Sequence, residues 1–217
     1  MGVYIDNSSA SAPRYVSISR VAAIGNDENG IAVYSNGNII ASNLTVVDHQ
    51  HGDGAVLETY GTNAAITLTG NNQFKWNDGN GLSAWSEGTI RLYNVLAMEN
   101  NGNGVEATSA NGALYMYTST LQNNGWSGAD LEAETIVYLY QVRAFSNGWD
   151  GQPSNEGIYI KNGATTTKVY ILYSSIMANW GNGIEILMAP GTPAPFIPLL
   201  TGTSYFGNGG QNLYYHF

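Results

Sequence analysis

The sequence predicts an all-β solenoid, in which short parallel strands wind into about eight coils of three strands each. Three observations predict it: a glycine-started segment that recurs along the chain, alternation of apolar and polar residues, and a small amide before each recurring glycine. The composition agrees with this prediction. The 217 residues include 27 glycines and 15 tyrosines but only 11% charged residues, which favours strands and tight turns over helices.

The repeat starts at a glycine followed by alternating apolar residues, as in "GIAV", "GVEA" and "GIEI". Eight copies occur at spacings of 23 to 29 residues, at Gly2, Gly30, Gly54, Gly81, Gly104, Gly128, Gly157 and Gly183. Apolar and polar residues then alternate over four or five positions, which is the period of a half-buried strand. Each copy holds three such segments, so we expect one copy to form one coil.

A small amide lies about four residues before the recurring glycine. The predicted set is Asn26, Gln50, Asn77, Asn100, Asn124 and Asn179, with Asn147 and Asn208 in the same place after local insertions. Asn tolerates the left-handed backbone of a tight turn. Stacked amides can also hydrogen-bond to one another along the solenoid axis. We therefore interpret these residues as a structural ladder.

The turns "NGNG", "NWGNG" and "NDGNG", each followed by alternating apolar residues, resemble those of the right-handed parallel β-helix superfamily. The resemblance covers essentially the whole chain and is similar to the Asn/Gly-rich repeats of large bacterial surface and secreted proteins. It implies a right-handed single-stranded parallel β-helix and an extracellular or cell-surface location, but no particular activity. We expect residues 1–217 to form a single domain, either complete or a segment of a longer solenoid.

Charge and composition exclude several classes of function. The net charge is −9, from 7 Lys and Arg against 16 Asp and Glu, which disfavours nucleic acid and anionic membrane surfaces as partners. The chain has no run of 18 apolar residues, so no membrane span is predicted. It also has no cysteine, which excludes disulfides and thiolate metal sites.

Stacked coils would bring tyrosines together on the outer surface. One outward column would contain Tyr93, Tyr117 and Tyr140, and the next would contain Arg91, Tyr115, Tyr138 and Tyr170. Earlier coils carry Thr67 and Thr69 in these places. Such a strip either stabilises the parallel strands by aromatic stacking or binds a ligand, for which a polysaccharide and another protein are the candidates.

A second outward face would carry carboxylates. Stacking predicts one column of Ser83, Glu106, Asp130, Tyr159 and Glu185, beside a column of Tyr34, Glu58, Trp85, Thr108, Glu132 and Lys161. The interpretations are a solvated acidic face, a calcium site, or the acid and base groups of a polysaccharide lyase or glycoside hydrolase. The enzyme hypothesis uses Glu106, Asp130 and Glu132, with Lys161 as the plausible base.

The segment "DHQHGDG" concentrates side chains that can bind a metal, namely Asp48, His49, His51 and Asp53. On a strand, the alternate histidines would point the same way and leave room for one ion. A polar turn is the alternative interpretation.

Without capping helices, a β-helix exposes strand edges at both ends. The sequence shows no amphipathic helix before the first repeat, and we expect the prolines between Pro193 and Pro198 to bulge or blunt the last coil. The leading hypothesis is a non-enzymatic module that acts as a rigid scaffold and binds a polysaccharide or protein through the tyrosines. A carbohydrate-active enzyme and self-assembly through uncapped ends are the alternatives.

Overall fold

The computed structural model describes residues 1–150, 155–164, 167–191 and 198–216, and it has the predicted solenoid architecture. The described residues form 24 strands and no helix, and the strands pair in parallel within three sheets. Seven coils contribute one described strand to each sheet. Two further strands belong to an eighth coil, and the last strand continues one sheet into a ninth. The count is close to the predicted eight coils.

Through the first seven coils, each sheet takes every third strand of the chain. Sheet A consists of β1 (Val3–Asn7), β4 (Ile31–Ser35), β7 (Ala55–Thr59), β10 (Leu82–Ser86), β13 (Val105–Ser109), β16 (Ala129–Ala133), β19 (Ile158–Asn162), β22 (Ile184–Leu187) and β24 (Leu213–His216). Sheet B consists of β2 (Val16–Ser19), β5 (Ile39–Ser42), β8 (Ile66–Thr69), β11 (Ile90–Tyr93), β14 (Ala113–Tyr117), β17 (Ile136–Tyr140) and β20 (Lys168–Leu172). Sheet C consists of β3 (Ala22–Ile24), β6 (Thr45–Val47), β9 (Asn72–Lys75), β12 (Val95–Met98), β15 (Thr120–Gln122), β18 (Arg143–Phe145), β21 (Ser175–Met177) and β23 (Ser204–Phe206).

The apolar residues of the alternating pattern form one continuous core between the sheets. Along sheet A, for example, Leu82, Val105 and Ile158 point inward and are completely buried. Because side chains alternate along a strand, every second residue of these strands points outward. The outward columns therefore contain one residue from each coil, in the predicted register.

The amide ladder is present, but its second member is not Gln50. Asn77 donates to Asn100 Oδ1 at 2.7 Å, and each further step from Asn100 to Asn208 is a side-chain hydrogen bond of 2.9 Å. In the coil before Asn77, the ladder position belongs to His49, which is buried. Its Nδ1 accepts from the Asn26 backbone N–H at 3.0 Å, and its Nε2 lies 3.1 Å from the Ala23 carbonyl. The imidazole thus replaces an asparagine amide, which a search for amides alone does not find.

The ladder also explains the recurring glycine. A Cβ built on Gly104 would lie 2.6 Å from the Gly128 carbonyl oxygen and 2.7 Å from Asn124 Nδ2 of the next coil. Gly54 and Gly81 face the same two groups in their own next coils. The glycine is therefore required by the close approach of consecutive coils at the ladder, where a side chain would force them apart.

The outward side of the third strand carries large apolar residues in several coils. Met98, Phe145 and Met177, which the sequence places on the outward side of that strand, are half-buried there and share one column. Of the proline segment, residues 192–197 lie outside the described residues, so the predicted bulge between Pro193 and Pro198 stays a prediction. Within the described residues, no helix has the length and apolar character needed to cross a membrane.

Candidate functional site

The tyrosine face is the outward surface of sheet B formed by Arg91, Tyr93, Tyr115, Tyr117, Tyr138, Tyr140 and Tyr170. Strand pairing gives the predicted columns, because Tyr115 pairs with Tyr138 and Tyr117 pairs with Tyr140 across neighbouring strands. Arg91 pairs with Tyr115 in the same way. Each of the six tyrosines is half-buried, so part of each ring is available to a ligand.

The rings contact one another both along and across the columns. Tyr93 and Tyr117 stack nearly parallel, with centroids 4.8 Å apart, and the Tyr115 ring lies parallel to Tyr117 at 6.3 Å. Tyr138 contacts Tyr115, Tyr117 and Tyr170 at 5.8 to 6.0 Å. Pairs at these separations stabilise the surface in addition to the area they bury. The three near-parallel rings are packed against one another and form a continuous aromatic cluster.

The last tyrosine of one column makes an edge-on contact instead of a parallel stack. Tyr140 packs edge-on against Tyr173 at 5.6 Å. Tyr173 follows β20 with a φ of 51°, and its ring is exposed. The sequence analysis missed Tyr173, because the left-handed backbone after β20 moves it off the alternating strand pattern.

Charge on the tyrosine face is low. The Arg91 guanidinium lies 5.5 Å from the centre of the Tyr115 ring, within the range of a cation–π contact. Burial, followed by the neighbouring phenols, raises the pKa of Tyr117, so its hydroxyl stays neutral at physiological pH. The face therefore combines neutral rings and hydroxyls with one adjacent cation.

The carboxylates of the second predicted face lie on the outward side of sheet A. Asp130 Oδ2 and Lys161 Nζ form an ion pair of 3.1 Å, although Lys161 pairs with Glu132 in strand register. Glu106 is exposed and accepts a hydrogen bond from Asn80 Nδ2 at 2.8 Å. The structure thus brings Asp130, Glu132 and Lys161 together, while the Glu106 carboxylate is bonded to the preceding coil.

Protonation in this cluster follows from burial and charge. Burial raises the pKa of the Asp130 carboxyl, and the Lys161 ammonium offsets part of that effect. Burial lowers the pKa of Lys161, but Asp130 outweighs it, so the net shift is upward. Lys161 therefore carries its proton, and it would have to lose that proton before acting as the base that the enzyme hypothesis requires.

Glu156 is a buried carboxyl that the sequence analysis did not identify. Its Oε2 accepts from the Ser127 hydroxyl at 3.1 Å, and its backbone N–H donates to the same hydroxyl at 3.2 Å. Burial and the nearby Glu185 carboxylate raise its pKa to about 7. The residue lies just before β19, in a stretch of sequence where no repeat pattern indicates which side chains turn inward.

The four metal candidates do not converge on one point. Both ring nitrogens of His49 are engaged in the ladder, whereas His51 is exposed and its Nδ1 lies 3.1 Å from Asp27 Oδ1. Asp53 accepts from the Asn80 backbone N–H and the Ser83 hydroxyl, both at 2.7 Å. Asp48 has a φ of 61° in the turn before His49. In the part of the chain that the structure describes, no three His, Asp or Glu side chains are grouped to hold a metal.

A third surface was not predicted. Four tryptophans are exposed at or beyond the turns that follow sheet C strands: Trp76, Trp126, Trp149 and Trp180. The Trp76 indole N–H donates to Glu99 Oε2 at 2.7 Å, and that of Trp149 donates to the Asn123 carbonyl at 3.0 Å. Tryptophans in irregular turns carry no strand periodicity, so the pattern search did not group them.

The coils stack so that three parallel sheets surround one core, and this arrangement defines a parallel β-solenoid. The family model for the right handed beta helix region matches residues 1–192, and the chain belongs to this family. The handedness implied by the resemblance is thereby confirmed. Comparison with curated proteins and with solved structures gave no match.

Proposed function

We propose that this protein is a rigid scaffold that binds a polysaccharide along the tyrosine face. The observation that carries the proposal is the cluster of Tyr93, Tyr115 and Tyr117, whose stacked rings lie together on the outward side of sheet B. Clustered aromatic rings offer apolar area to sugar rings, and their hydroxyl groups can bond to sugar hydroxyls. The coiled architecture supports this function because a solenoid presents an extended, regular surface to an extended ligand.

The charge distribution favours a polysaccharide over a protein with a basic surface. The seven described strands of sheet B contain no Asp or Glu and only two basic residues, Arg91 and Lys168. Neutral polymers meet no repulsion on this face, and acidic ones find Arg91 at its edge. The same proposal puts the protein outside the cell or at its surface, where such a scaffold would meet its ligand.

Native gel retardation against a panel of neutral and acidic polysaccharides, with and without calcium, tests the proposal. The Tyr117→Ala/Tyr140→Ala variant should lose at least about tenfold in affinity, because two ring contacts are removed. The Trp126→Ala/Trp180→Ala variant is the matched control, since it removes exposed aromatic rings outside sheet B. Retardation that persists in the tyrosine variant, or no retardation with any polysaccharide, would overturn the proposal.

A carbohydrate-active enzyme is the second candidate. It is favoured by the proximity of Asp130, Glu132 and Lys161, and by Glu156, whose pKa of about 7 suits an acid that donates a proton near neutral pH. This hypothesis predicts depolymerisation of a polysaccharide that is lost in Asp130→Asn or Glu106→Gln. If calcium bridges the carboxylates, chelation would abolish the activity as well. Binding without any release of shorter chains would exclude this candidate for the polysaccharides tested.

A further inference from the structure

A cleft of about 620 Å³ lies on sheet A at the end formed by the first three coils. Its lining consists of Tyr4, Asp6, Ser8, Ser9, Tyr34 and Tyr60. The cleft involves the first three strands of sheet A, because Tyr4, Tyr34 and Tyr60 come from β1, from β4 and from the residue after β7. No basic side chain is among these lining residues.

Three aromatic rings form the walls of this cleft. The Tyr4 and Tyr34 rings are tilted by 57° to each other, with centroids 5.9 Å apart. The Tyr60 ring is supported from the next coil by Trp85, at 5.6 Å and 36°. Tyr4 and Tyr60 are exposed. Tyr34, which belongs to the coil between theirs, is half-buried. The cleft is therefore bordered by the π systems of several electron-rich rings.

Carboxylates alternate with the rings. Strand register places Asp6, Tyr34, Glu58 and Trp85 in a single outward column. The Tyr4 hydroxyl donates to Asp6 Oδ2 at 3.2 Å, and the Tyr60 hydroxyl donates to Glu58 Oε2. Each phenol therefore directs its hydroxyl toward a carboxylate.

The cleft carries net negative charge. Hydrogen bonds from Ser8, through its hydroxyl and its backbone N–H, lower the pKa of Asp6 and keep it ionised. The bond to Asp6 raises the pKa of Tyr4, and burial followed by Glu58 raises that of Tyr34, so both phenols stay neutral. Among the described residues, no ion pair involves Asp6 or Glu58. Asp6 thus lines an aromatic space without a cationic partner, and Glu58 lies beside that space, bonded to Tyr60.

We propose that this cleft binds a small organic cation of the quaternary ammonium class. Such cations are weakly hydrated and bind to electron-rich ring faces, and nearby carboxylates add attraction without direct contact. A hard metal ion fits less well, because it needs several free oxygen ligands and both Asp6 oxygens already accept hydrogen bonds. A neutral sugar would leave the two carboxylates unpaired.

The test compares choline with 3,3-dimethyl-1-butanol, which has the same shape but no charge. Titration of each into the folded protein, followed by calorimetry or ligand-observed NMR, measures both affinities. We expect choline to bind at least about tenfold more tightly, because only the cation interacts with the ring quadrupoles and carboxylates. Equal binding of the two ligands, or no choline binding, would overturn the proposal.

Variants localise the site. Asp6→Asn should weaken choline binding about tenfold by removing the charge that lines the cleft, whereas Glu106→Gln, which removes a carboxylate of the same sheet outside the cleft, should leave it unchanged. Tyr34→Phe keeps the ring and should retain binding, and Tyr34→Leu should lose it. Near-ultraviolet circular dichroism of each variant confirms that the coil is intact. Equal losses in Asp6→Asn and Glu106→Gln would show a general charge effect and reject the cleft as the site.

The proposed cation site is independent of polysaccharide binding. Tyr117→Ala/Tyr140→Ala should leave choline affinity unchanged, because its residues lie on sheet B. A failure of one proposal therefore leaves the other testable on the same protein.

Discussion

Sheets A and B are built by the same coils, yet their outward faces differ in chemistry. The described strands of sheet A contain six acidic residues and one lysine: Asp6, Glu58, Glu106, Asp130, Glu132 and Glu185, with Lys161. Those of sheet B contain no acidic residue and six of the chain's tyrosines. Both sheets bury the same kinds of aliphatic side chain inward. The comparison shows that the core and the ladder determine the backbone, while each outward column can vary independently.

The largest expected effect comes from breaking the framework that the two faces share. Asn124 donates to Asn147 Oδ1 and to the Ala97 carbonyl, and it accepts from Asn100. Asn124→Ala would leave several buried groups without partners, so we expect a loss of about 4 kcal/mol in the free energy of unfolding. Urea denaturation measures this loss.

Asn111→Ala is the control for the ladder. Asn111 is exposed and bonds to Glu87 Oε2 in a turn, so its removal should cost no more than about 0.5 kcal/mol. Similar losses in both variants would contradict a special role for the buried amides.

A smaller effect is a pH dependence of the free energy of unfolding, which we expect on the side of sheet A. Glu156, which lies beside sheet A, has a pKa of about 7 in the folded chain and an ordinary value of 4.5. Between these values the folded state holds a proton that the unfolded state has released, so stability falls as pH rises from about 4.5 to 7. The loss of stability across this pH range is on the order of 2–3 kcal/mol. Glu156→Gln should remove it.

The measurement is the difference in free energy of unfolding between wild type and Glu156→Gln at several pH values. That difference should change across the window. A constant difference for Glu156→Gln would show that this carboxyl titrates normally.

The smallest effect concerns ring stacking within the tyrosine face. In a double-mutant cycle, Tyr93→Ala and Tyr117→Ala should show a coupling energy of about 0.5–1 kcal/mol, because the rings stack at 4.8 Å. Tyr115 and Tyr170 lie two coils apart in one column, and their cycle should give a coupling near zero. Equal coupling in both cycles would argue against direct stacking.

The repeat predicted the fold and the strand register, because glycine spacing and alternation follow directly from the geometry of a coil. The columns that contain Tyr115 and Glu106 were obtained in this way. The pattern did not predict His49 in the ladder, since an imidazole mimics an amide only once its two hydrogen bonds are seen. Glu156, Tyr60 and Tyr173 lie outside the alternating segments, and their contacts depend on turns whose backbone the repeat does not specify.

The ladder has a consequence for how such a chain can change over time. The coils join their neighbours through a recurring glycine, a ladder side chain that is an amide in all but the coil of His49, and aliphatic core residues of the same kind. Duplicating or deleting one segment of about one repeat length would therefore leave every remaining joint intact. The change would, however, move a carboxylate or a tyrosine one position along its column. New surfaces can arise by rearranging whole coils, with no need to redesign the interior.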